Sequence, residues 1–218
     1  LGTLAAEIAH EIRNPLMVVR LLFDSLGLEQ GEDEAKNKDL SVIREKLDHL
    51  EQIAGRILDF GKSREAFRKP FSLKEIIEDA ALLVRLKLEQ CNVVLHVNEF
   101  SQDLLVYVDK GQIQQTLLNL MLNALVAMPN GGKLIVAVGR TEEGKAQVLV
   151  EDTGTGIPEE IKGRIFDSFL TGTSEGTGLG LSISKRILRA HDGNLDLLKS
   201  GPEGTVFKIT LPLANEEV

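Results

Sequence analysis

The chain has 218 residues, 43% of them hydrophobic, and a formal net charge of −8. That length holds one large or two small domains with a proper core. The acidic balance argues against general affinity for nucleic acid or anionic lipid, so any anionic ligand needs a local site. The single cysteine, Cys91, rules out an internal disulfide and fits a reducing compartment. No apolar run approaches the roughly 20 residues that span a bilayer.

Residues 1 to 66 read as two helices. In the first, Leu1, Leu4, Ile8, Ile12, Pro15, Val19, Leu22 and Leu26 recur at three- and four-residue steps; in the second, Leu40, Ile43, Leu47, Leu50, Ala54 and Ile57 form a heptad seam. The polar stretch EQGEDEAKN (29–37) is the turn between them. Two helices alone cannot bury both seams, so a second copy completing a four-helix bundle is expected. The pattern is already running at Leu1, without a signal peptide, so the chain reads as an excised fragment from which an upstream sensor or membrane span could have been removed. Within IAHEIRNPL, His10 lies off the main stripe and Pro15 should bend the helix just after it. A zinc helix is excluded at this point: it needs a second histidine four residues on, and Asn14 is there instead.

SREAFRKPF (63–71) reads as a linker, set at 67–71 between a first domain of 1–66 and a second of 72–218. Beyond it, Ser72 and Glu75 form a capping box for a helix over 72–91, and VVLHVN and LLVYVD alternate as strands. A long helix over 110–128 follows. KLIVAVGR and AQVLVED make a hairpin around TEEG, PEEIKGRIF opens a short helix, a further helix covers 179–191, and two strands flank GPEG. This order implies a mixed sheet with helices on one face, an α/β sandwich.

Three motifs in this domain carry chemistry. Asn119 and Asn123 are four apart on one helical face; their carboxamide oxygens suit Mg²⁺, and a satisfied polar pair is the bland alternative. EDTGTGIP puts Asp152 at a strand end, able to accept a hydrogen bond from an exocyclic amine such as that of adenine, with Gly154 and Gly156 letting backbone approach a flat ligand; a tight turn explains it equally well. GTSEGTGLGLSISKRI (172–187) places Gly172, Gly176, Gly178 and Gly180 before a helix N-terminus, an anion cradle with a closing segment ahead of it. It is neither a P-loop nor a dinucleotide fingerprint.

Taken in order, these motifs make residues 70 to 214 resemble the catalytic ATP-binding domain of sensor histidine kinases, within the superfamily that includes Hsp90, gyrase and MutL. Asn119 and Asn123 match the N box; Asp152, Gly154 and Gly156 the G1 box; Phe166 and Phe169 the F box; Gly176, Thr177, Gly178, Leu179 and Gly180 the G2 box. HEIRNPL resembles the H box of the dimerisation and phosphoacceptor domain, and the forms are similar to nitrogen-regulation and sporulation kinases. The resemblance implies ATP and Mg²⁺ as cofactors, with Asn123 as a metal ligand. It implies His10 as acceptor of the γ-phosphoryl group, Glu11 as its orienting carboxylate, and Asn14 as the positioner of a water for phosphatase activity. The partners implied are a second copy and a response-regulator receiver domain. A cytoplasmic location is implied for this fragment, without direct membrane contact of its own. Where close members carry a lysine in PFFTTK, this chain has Thr173 in SFLTGT, which removes a phosphate contact; Lys162, Arg164, Lys185 and Arg186 are the basic residues nearby. Two other functions remain alongside: a degenerate scaffold that binds nucleotide without transfer, and an ATPase clamp that needs no phosphoacceptor.

Overall fold

The computed structural model describes residues 16, 17, 19, 20, 47, 66–98, 103–168, 170 and 178–214. The chain separates into two compact units, Leu1–Glu65 and Ala66–Val218. The described residues of the first unit are helical; Leu47 of the second seam is buried, and Val19 of the first stripe is 46% exposed. His10, Glu11, Asn14, the bend at Pro15 and the acidic turn lie outside the described residues.

The second unit runs β1 (Lys69–Ser72), α1 (Leu73–Gln90), β2 (Val93–Val97), β3 (Leu105–Val108), α2 (Lys110–Ala127), β4 (Gly132–Arg140), β5 (Ala146–Asp152), α3 (Glu159–Lys162), α4 (Gly180–Ala190), β6 (Asn194–Gly201) and β7 (Gly204–Leu211). Local chemistry sets the boundaries. The Ser72 hydroxyl accepts the Glu75 N–H at 3.2 Å, closing the first turn of α1 as the S-x-x-E spacing predicts. Gly144, at φ +80°, turns the β4–β5 hairpin, whose antiparallel register runs from Arg140↔Ala146 to Leu134↔Asp152. The five-stranded sheet has the order β2-β4-β5-β7-β6, with only β2 and β4 parallel. β2 and β4 are separated in sequence by β3 and α2, a connection long enough for a parallel pair.

The helices pack on this sheet. Ile76 and Ile77 from α1, Leu117, Leu120 and Met121 from α2, and Leu188 from α4 are 0–1% exposed; so are Leu134, Val136, Val148, Leu195 and Ile209 from the strands. One apolar face per element is thereby removed from water, which is what holds an α/β sandwich together.

The stretch read as a linker differs from expectation. Lys69–Ser72 forms β1 and pairs antiparallel with β3, from Lys69↔Val108 to Ser72↔Leu105. Pro70 and the flanking charges disguise it, but this sheet has only two strands, and an edge position tolerates a residue without an N–H. Leu213 bridges Val106, and the Ala214 N–H donates to the Leu105 carbonyl at 2.8 Å, so the described C-terminal end lies along β3. Among the described residues no helix is long and apolar enough to cross a membrane.

Candidate nucleotide site

α2 begins at Asp109, whose Oδ1 accepts the Gln112 N–H at 3.1 Å. Its buried face is Ile113, Thr116, Leu117, Leu120, Met121, Ala124 and Leu125. That leaves Asn119 half-buried at the border and Asn123 exposed one turn on. Asn119 turns its Nδ2 towards α4, donating to the Gly180 carbonyl at 3.4 Å and the Ser184 hydroxyl at 3.3 Å. Its Oδ1 stays available as an acceptor or ligand. The described residues contain no cluster of three or more His, Cys, Asp or Glu able to hold a metal ion. Mg²⁺ takes few protein ligands and keeps phosphate oxygens and water in most of its shell. An exposed carboxamide such as Asn123 fits that role.

Asp152 ends β5 in mid-sheet, between Leu134 on β4 and Thr205 on β7, and is 6% exposed. Burial pushes its carboxyl above the ordinary carboxylate range; backbone N–H bonds from Gly154 (2.8 Å to Oδ1) and Thr205 offset part of that cost. A buried acceptor held by two amides is rigid, so it can select a donor by position.

The glycines after Asp152 serve a purpose the sequence did not reveal. A Cβ on Gly154 would stand 2.6 Å from the Ala127 carbonyl oxygen, and one on Gly156 would run into the Gly201 carbonyl. Gly156 also has φ +75°. The close approach they permit is to the protein's own backbone: Thr155 N–H bonds to Ala127 O at 3.0 Å, and Ile157 N–H to the Ser200 hydroxyl at 2.8 Å. The turn is thus docked on both the end of α2 and the β6–β7 turn.

Gly180 is different. A Cβ there would meet only Asn119 Cγ, at 3.9 Å, which is ordinary contact. Among the described residues no group requires a glycine at that point. Gly178 has φ +65°, Leu179 is 1% exposed and anchors the entry to α4, and no side chain caps the N-terminus of α4. The first-turn amides of an eleven-residue helix are therefore left as donors beside Asn119.

Phe166 is half-buried, and Lys185 Nζ sits 3.8 Å from its ring centroid. Phe169, Gly176 and Thr177 lie outside the described residues, as does the Thr173 departure. Of the four basic residues near it, Lys162 is held by Glu159 (2.5 Å) and the Ser200 carbonyl (2.9 Å), and Arg164 by Asp167 (2.9 Å). Lys185 lies on Phe166, and burial pulls Arg186 below its ordinary value. The structure thus brings Asn119, Gly180 and the α4 N-terminus together, and places Asp152, Gly154 and Gly156 at the far end of α2. Sequence reasoning passed over Asp109, Ser184 and Thr205. Asp109 had a readable signal, D-x-x-Q ahead of a helix; the other two had none.

Comparisons with known proteins cover almost the whole chain. Residues 108–215 match the family of histidine kinase-, DNA gyrase B-, and HSP90-like ATPases, and residues 1–66 match the His Kinase A (phospho-acceptor) domain. The chain is 31% identical to the signal transduction histidine-protein kinase AtoS of Escherichia coli (strain K12) across 98% of its own length and 35% of the relative's. It is 35% identical to sporulation kinase D of Bacillus subtilis (strain 168), across 98% and 42%. It therefore spans about a third to two-fifths of these relatives. Among solved structures, the catalytic domain of histidine kinase ThkA in a nucleotide-free form is 33% identical, with a TM-score of 0.60 over 66% of this chain and 95% of that one. ThkA in complex with the response regulator TrrA is 31% identical, with a TM-score of 0.73 over 100% of this chain and 63% of that one.

Proposed function

Because the chain belongs to the sensor histidine kinases of two-component systems, we propose that it moves the γ-phosphoryl group of ATP to His10 and from there to an aspartate on a response-regulator receiver domain. The observation that carries the nucleotide half of this reading is the N-terminus of α4 at Gly180. There a helix N-terminus without a side-chain cap, an asparagine and a glycine that no atom of the described residues demands meet at one point.

In this reading the phosphates of ATP lie on the amides of Gly178, Leu179 and Gly180, with Gly176 and Thr177 ahead of them. Asp152 accepts the adenine amine, and the turn through Gly154 and Gly156 fixes the Asp152 carboxylate against α2. Phe166 and Phe169 wall the site. Asn119 and Asn123 would hold Mg²⁺, which supplies charge neutralisation at the transferring phosphoryl group. The chain's own contribution is placement. His10 attacks through a neutral imidazole, since its unperturbed pKa near 6.5 leaves the ring mostly uncharged at neutral pH. Glu11 holds the proton on the other ring nitrogen and stabilises the imidazolium that forms. Asn14, one helical turn on, orients a water that removes phosphate from the partner. The match of residues 1–66 to a phosphoacceptor family favours transfer over a clamp ATPase, which needs no acceptor.

A first domain of 1–66, a second that takes in 67–71 together with 72–218, and a homodimer built on the helical seams complete the proposal. Val19, 46% exposed in the single chain, supports a seam that a second copy covers. The solved complex of ThkA with TrrA supports a receiver domain as the partner. The test is transfer: chain labelled from γ-labelled ATP, then freed of nucleotide, is mixed with a panel of receiver domains. Label should pass to one receiver within minutes and not to its Asp→Ala form; label retained on the chain with every receiver would sink the transfer step.

A further inference from the structure

His191 is fully buried, and no proposed step uses it. Its Nε2 accepts the backbone N–H of Asp109 at 3.0 Å, while Nδ1 lies 2.8 Å from the Ile187 carbonyl. An acceptor at one nitrogen and a donor at the other is the neutral Nδ1–H tautomer, so both ring nitrogens are satisfied. His191 ends α4 and Asp109 begins α2. At the other end of the pair, Asn119 of α2 bonds Gly180 and Ser184 of α4. The two helices therefore run antiparallel and are tied twice, at points about 15 Å apart along the axis. Sliding one helix against the other is opposed at both ends.

The far tie has a third member. The Phe67 N–H donates to Asp109 Oδ2 at 3.1 Å. The Arg68 guanidinium bonds Asp192 Oδ2 at 2.6 Å and also the Ala190 carbonyl, one of the free carbonyls at the end of α4. Residues 67 and 68 thus grip the start of α2 and the end of α4 together, just before β1.

We propose that this junction sets the register of α2 against α4, and with it the nucleotide affinity, so that Arg68 is a positioning residue acting through Asp192 and the end of α4, which His191 ties to Asp109. The inference rests on α2 and α4 forming the nucleotide site. Its physical consequence is that the point where the chain enters its second unit is energetically coupled to ATP. Coupling is reciprocal: loosening the junction weakens ATP binding, and ATP binding tightens the junction.

The test uses the whole 218-residue chain and a non-hydrolysable ATP analogue, titrated calorimetrically, with self-labelling kinetics alongside. Arg68→Met should weaken analogue binding by about three- to tenfold and raise the KM for ATP by a similar factor. The rate at saturating ATP should stay within about twofold, because bound nucleotide restores the register. Arg68→Lys should recover much of the loss, and Asp192→Ala combined with Arg68→Met should be no worse than Arg68→Met alone. Hydrogen exchange at the Phe67 amide gives a readout that needs no variant to fold: saturating analogue should slow it by at least about threefold. Wild-type affinity in a folded Arg68→Met chain, or unchanged Phe67 exchange in wild type, would overturn the coupling. A wild-type chain that binds no analogue would instead remove the nucleotide reading and this inference with it.

Discussion

In the proposed nucleotide reading, Asp152 sets stability against function. Its carboxylate is buried at the end of a central strand, and burial raises its pKa despite two amide donors. A carboxyl whose folded pKa lies above its unfolded value binds more protons in the native state. Its contribution to stability is then fully present below the unfolded value and is lost as pH rises through the folded one. At neutral pH the charged form is carried at a cost. Asp152→Asn discards the charge, so its stability relative to wild type should rise by roughly 0.5–2 kcal/mol between acid pH and pH 7, read in thermal unfolding, whatever the fixed effect of the amide on the Gly154 and Thr205 N–H bonds. ATP binding should fall by at least about tenfold, since a carboxamide is the weaker acceptor for the adenine amine. Unchanged stability together with unchanged affinity would mean that Asp152 neither carries a buried charge nor meets the nucleotide. This residue was legible in the sequence as an Asp before G-x-G, but the Thr205 amide 53 positions away was not; strand pairing alone supplies it.

At the scale of elements, the glycines of the two turns separate structure from function. Gly156→Ala forces a left-handed residue and a Cβ into the Gly201 carbonyl, so it should cost about 2 kcal/mol or more of stability, seen in denaturant melts. Gly180→Ala meets only Asn119 Cγ and replaces glycine in a helix, so the melt should hold or improve by up to about 1 kcal/mol. Nucleotide affinity should nevertheless drop by about tenfold or more, because the methyl group occupies the space beside the α4 amides. Destabilisation by Gly180→Ala without loss of binding would reverse that assignment. Both glycines sit in G-x-G repeats and look alike in sequence; only their neighbours distinguish them. The same limit applied to β1. The elements with clear periodicity and caps, α1 with its Ser72 cap and the β4–β5 hairpin around Gly144, could be read directly. β1 could not, because Pro70 and charged neighbours mimic a linker, and its partner β3 lies more than 30 residues on. The Asp109–His191 tie was hidden for the same reason: its partners are 82 residues apart.

At the scale of the molecule, the proposed function divides between two compact units, Leu1–Glu65 with His10 as the acceptor and Ala66–Val218 with the nucleotide site. The sheets and the α2–α4 ties of Ala66–Val218 are formed among its own described residues. That fragment alone should bind the ATP analogue within about twofold of the whole chain and take up no label, since it lacks the acceptor; a fragment that folds but binds more than tenfold weaker would show the nucleotide site to be shared between units. The order of motifs along the chain made this division visible in the sequence, while the way α2 and α4 are fastened at their far end emerged only from the fold. The most direct measurement is label transfer from Mg-[γ-³²P]ATP to the 218-residue chain beside His10→Gln. Label on the wild type, absent from the variant, lost in acid and retained in alkali, is the result a histidine phosphotransferase requires. No label on a wild type that binds ATP tightly, or equal label on His10→Gln, would contradict it.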